Sequence, residues 1–94
     1  MENNKAIMLD NLTGLQNLCE LMKSADLENE RISSRIFDLC HLVALKVKMV
    51  YEDTSLSCLA SIFRYGLKEK NRSLVLNACI AIHFEVERLK AKYE

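Results

Sequence analysis

Between residues 75 and 93 apolar side chains return at alternating intervals of four and three: Val75, Cys79, Ile82, Val86, Leu89 and Tyr93. In a helix of about 3.6 residues per turn that spacing keeps them on one side, the seam a bundle buries. A second line, Leu76, Ile80 and Phe84, occupies a different side of the same stretch. A helix apolar on two sides must be covered on two sides. It is therefore either the central helix of its bundle or the place where two copies meet. Both readings commit the chain to helix-on-helix packing.

The rest of the 94-residue chain has the same character, and the whole has no proline and two glycines. Strands joined by tight turns use both residues, whereas helix interiors exclude them. The expected fold is all-α, a single domain over residues 1–94 built as a small bundle of about four helices. The second and fourth are the long ones, and residues 1–7 are expected to fray. The first helix is expected from about Asp10 to Lys23, capped by Asp10 or Asn11 and weakened by Gly14. Met8, Leu12, Leu15, Cys19 and Met22 form its stripe, thickened by Leu18 and Leu21. The second is expected from about Leu27 to Glu52, with Asp26, Glu28 and Glu30 at its positive end and Ile32, Ile36, Leu39, Val43, Val47 and Val50 inward. Asp53-Thr54 announces a shorter third helix carrying Leu56, Leu59, Phe63 and Leu67. Gly66 suits either a left-handed stop or a close helix contact. Asn71 is the expected cap of the fourth.

Half the residues are hydrophobic and 28% are charged, as in ordinary folded domains. The formal net charge is zero, so the total gives no argument for nucleic acid or a membrane. Residues 1–45 carry seven acids and four bases (−3) and residues 46–94 six acids and nine bases (+3), a polarity suited to antiparallel or head-to-tail association. The opening Met-Glu-Asn-Asn-Lys has neither the basic segment nor the apolar run of a signal peptide. The longest nearly apolar stretch, Leu74 to Phe84, is 11 residues, against about 20 for a bilayer span. A cytoplasmic location is expected.

The four cysteines, 19, 40, 58 and 79, fall one per helix without the closely spaced pairs of a zinc site. They read as reduced structural thiols on the apolar stripes, and neither metal nor cofactor is expected. Arg35 and His41 enclose five residues. This resembles the R-x(4–6)-H motif of HEPN-type ribonucleases, themselves helical bundles. The resemblance implies His41 in proton transfer and Arg35 in charge stabilisation during RNA cleavage. It covers seven residues, and Ile36 stands where a polar residue commonly follows the arginine. Arg64, Lys68, Lys70 and Arg72 gather around the last connection, a basic patch for an acidic partner.

No phosphate loop, nucleophile elbow or catalytic carboxylate pair is present in the sequence. The expected role is a small non-enzymatic protein-binding module, an adaptor, chaperone or inhibitor acting through helical surfaces as a homodimer. Leu76, Ile80 and Phe84 are the expected self-association residues, and Arg64, Lys68, Lys70 and Arg72 the partner-binding ones. A nucleic-acid-associated regulator using residues 64–72 is the alternative. The ribonuclease reading, through Arg35 and His41, ranks below both.

Overall fold

The computed structural model describes residues 2–26 and 29–93, with the side chains of residues 2–4 and 93 left aside. The chain is all-α: α1 (Glu2–Met22), α2 (Glu30–Tyr51), α3 (Ser55–Lys68) and α4 (Arg72–Tyr93), with no strand among the described residues. Each helix packs on its neighbours in sequence, and α4 closes the ring against α1. Among the described residues no Cα atoms of α1 and α3, or of α2 and α4, come within 8 Å of each other. Arg72, at the start of α4, meets the end of α1, while Gln16 reaches Glu87 and Lys90 near the end of α4. The two helices are therefore antiparallel. Short connections give the other pairs the same sense, so the bundle runs up, down, up, down. Its radius of gyration is 12.7 Å, close to the ~12 Å of a compact chain this long.

The inward stripe of α1 is the expected one: Met8, Leu12, Leu15, Cys19 and Met22 are all buried, while Leu21 is exposed. The helix nevertheless starts at Glu2, so residues 2–9 are helical and Asp10 is an exposed mid-helix residue, not a cap. Burial of Met8 extends the helix back, because its stripe continues one turn before Leu12. At the other end the amides of Lys23, Ser24 and Ala25 donate three residues back, tightening the last turn.

α2 begins at Glu30. Asn29 caps it, accepting from the Ile32 amide at 3.3 Å, and Glu30 places negative charge in its first turn as expected. Leu27 and Glu28, where the start was expected, lie outside the described residues. Its core face is Ile36, Cys40, Val43, Ala44 and Val47. Val50, expected inside, is 64% exposed. The reason is where α3 crosses. The Cys40 thiol donates to the Leu56 carbonyl at 3.7 Å, so α3 starts against the middle of α2, and beyond Val47 the apolar Met49 and Val50 are exposed.

Asp53 supplies the acceptor for α3, bonding the Ser55 amide at 3.0 Å, while Thr54 makes no side-chain cap bond. Gly66 is not a left-handed stop; no glycine has positive φ. It lies against α4, where a Cβ would come within 3.0 Å of Val75 Cγ2. The left-handed residue is Lys70, at φ 53°. Its amide donates to Leu67 and that of Asn71 to Gly66, the paired bonds of a Schellman stop. A lysine there carries a Cβ clash of about 1 kcal/mol that glycine lacks. Lys70→Gly is expected to raise stability by about that amount, read as a higher urea midpoint with unchanged slope.

Asn71 caps α4 as expected, accepting from Leu74 N at 3.1 Å. Val75, Cys79, Ile82, Val86 and Leu89 are buried, with Ala78 beside them. The sixth member of that line, Tyr93, lies outside the described side chains.

Candidate functional site

α4 packs along α1 and α3, and between the described residues of α4 and α2 no Cα atoms come within 8 Å, so it is not the central helix of the bundle. Its second apolar line consequently faces outward. Leu76 is half-buried, Ile80 is 46% exposed and Phe84 69%. His83 sets its ring edge-on to Phe84, centroids 5.9 Å apart. Behind them α1 and α4 enclose a cavity of about 160 Å³, lined by Cys19, Glu20, Lys23, Cys79, Ile80, His83 and Phe84.

The two cysteines in that cavity interact directly. The hydrogen bond from Cys19 lowers the Cys79 thiol, against the effect of burial, and Lys23 lowers it further. Cys19 is pushed well up by the same bond and by burial. Cys40, deeper in the core, is raised to about 12 by burial and by Cys79. Cys58 is exposed on α3, away from the stripe expected for it. Among the described residues no three His, Cys, Asp or Glu side chains gather as a metal site.

Arg64, Lys68, Lys70 and Arg72 are all exposed, and two of them also meet other helices. Arg72 donates from Nη1 to Ala25 O and from Nη2 to Lys23 O, both at 3.2 Å. It thereby covers the carbonyls at the negative end of α1. Arg64 lies over the Phe37 ring, 5.3 Å from its centroid. Phe37 also stacks on His41, centroids 6.0 Å apart, so His41 and Arg64 share one aromatic neighbour. Arg35 and His41 are both exposed on one uninterrupted helix, where six residues turn them about 120° apart.

Two arrangements escaped the sequence reading. Leu42, Leu45 and Met49 form an exposed line on α2, with Met49 at 82%. Their three-and-four spacing was a legible signal, overshadowed by the stronger inward line beside it. The other is a polar joint. Arg88 bonds both Glu85 and Asp53, and Ser55 donates to Asp53 and to Glu85 at 3.3 Å. Lys92 sits over the Tyr51 ring at 5.2 Å. The Ser55 hydroxyl, Arg88 and the Ser55 amide hold Asp53 well below the usual carboxylate range. These charges fasten the α2–α3 connection to α4, a structural task that needs no substrate. Between α1 and α4, Gln16 donates to Glu87 at 2.7 Å and accepts from Lys90 at 3.1 Å.

No protein-family model, curated protein or solved structure matches this chain. No helix of the described residues is long and apolar enough to cross a membrane. Taken by its geometry alone, the molecule is a four-helix antiparallel bundle with a completed core and two apolar lines left outside, on α2 and on α4.

Proposed function

We propose that this protein is a small non-enzymatic binding module, an adaptor, chaperone or inhibitor of the cytoplasm, that works as a homodimer paired through Leu76, Ile80 and Phe84. The observation carrying the reading is Phe84, a large aromatic left 69% exposed beside a groove although the core is closed without it. Because α4 cannot turn that line toward α2, a second copy is the economical cover. Burying two such apolar lines against each other is favourable at about 25 cal/mol per Å². The line on α2 remains for a different protein, with Lys68 and Lys70 available to an acidic one.

Light scattering on wild type and Phe84→Glu tests the pairing. Wild type is expected at twice the chain mass at tens of micromolar, and Phe84→Glu at the chain mass with unchanged helicity. A wild-type monomer at that concentration removes the dimer. For the partner, tagged wild type and Lys68→Glu/Lys70→Glu are compared in the native host. Recovery of one stoichiometric protein, weakened by the reversal and by salt, supports the module. Salt-sensitive recovery of RNA or DNA instead transfers the function to nucleic acid.

A further inference from the structure

We propose that Cys19 and Cys79, at the floor of the α1–α4 groove, form an oxidation site that a hydroperoxide converts to a disulfide joining the two helices. The pair differs from the other thiols in three respects. Its members come from facing helices and act on each other electrostatically, and both line a cavity. The cavity, about 160 Å³, holds several molecules the size of water, whose share of liquid volume is about 30 Å³. A small peroxide therefore has room beside both sulfurs, whereas the Cys40 thiol is directed to the Leu56 carbonyl and Cys58 lies alone on α3.

The chemistry divides between the two sulfurs. Cys79, lowered by its bond from Cys19 and by Lys23, supplies the thiolate. It attacks one peroxide oxygen; the O–O bond breaks, and the sulfur becomes a sulfenic acid as hydroxide leaves. The proton lost from Cys79 joins that hydroxide as water. Cys19, kept protonated, then attacks the sulfenic sulfur, forming the S–S bond and releasing a second water that carries the Cys19 proton. Two electrons have passed from the thiols to the peroxide. The groups facing the pair are Glu20 and Lys23 from α1 and His83 from α4. In a cytoplasmic setting such a bond is reversible and serves sensing, not permanent stability. It departs from the purely structural role expected of all four cysteines.

The test uses native protein, wild type and Cys58→Ser, treated with hydrogen peroxide and then alkylated after denaturation. Both are expected to lose two hydrogen atoms in intact mass. Non-reducing peptide maps should join the segments holding Cys19 and Cys79, with dithiothreitol restoring two alkylatable thiols. Oxidised protein should also show a higher urea midpoint than reduced protein. Oxygen addition at Cys79 without the cross-link, a bond through Cys40 or between chains, or full alkylation at both positions would each overturn the proposal.

Discussion

Replacing Phe63 by alanine is expected to cost about 3–5 kcal/mol, the range for a large aromatic removed from a closed core. Phe63 is fully buried, 0% exposed, on the inward face of α3. The remaining cavity has little freedom to collapse, since α3 is held at one end by the Asp53–Arg88 joint and at the other by Gly66 against Val75. Native domains are stable by only about 5–15 kcal/mol, and short ones sit toward the low end. The variant should be largely unfolded at moderate temperature. Phe84→Ala, from the same residue type on the next helix, should change the unfolding free energy of the monomer by no more than about 0.5 kcal/mol. Circular dichroism in urea on both variants checks the contrast. Equal losses would mean that Phe84 is covered within the single chain, and the pairing surface would go with it.

The two glycines should respond to alanine with opposite signs. At Gly66 the new Cβ would lie 3.0 Å from Val75 Cγ2 and 3.2 Å from the Val75 amide nitrogen. The side chain could shift, but the backbone nitrogen could do so only by moving α4 away. Overpacking of that kind costs about 1–3 kcal/mol, more than the gain of up to about 1 kcal/mol that alanine brings to a helix. Gly66→Ala is therefore expected to destabilise. At Gly14 the nearest atom is Leu39 Cδ2 at 3.5 Å, an ordinary contact on a flexible side chain. Gly14→Ala should stabilise by about 0.5–1 kcal/mol. Stabilisation by both substitutions would place α3 and α4 farther apart than described.

Features governed by one or two turns were legible in advance. Asn71 could be read as a cap because an amide side chain before an apolar run satisfies the free amides of a helix start. The burial of Val75, Cys79, Ile82, Val86 and Leu89 followed from periodicity. Errors arose where a neighbour intervened. Val50 continues the inward line of α2 by spacing, yet it is exposed because α3 is already in contact at Cys40. Gly66 could have been a stop or a contact; the stop moved to Lys70, since Val75 occupies the space a side chain would need. The basic residues 64, 68, 70 and 72 are close in sequence and all exposed; what spacing could not show is that Arg64 stacks on α2 and Arg72 reaches back to α1.

By itself, then, the sequence determined that the chain is helical, which line on each helix is most apolar, and that α4 has one line more than a single seam requires. Periodicity specifies directions around one helix axis. It carries no information on the direction in which a neighbouring axis lies. Only the tertiary structure decided that α4 packs along α1 and α3 and lies across the bundle from α2, which turns Ile80 and Phe84 outward. The same placement of axes brought Cys19 to Cys79, sixty residues along the chain, because α4 returns antiparallel beside α1 at the depth where both thiols face inward.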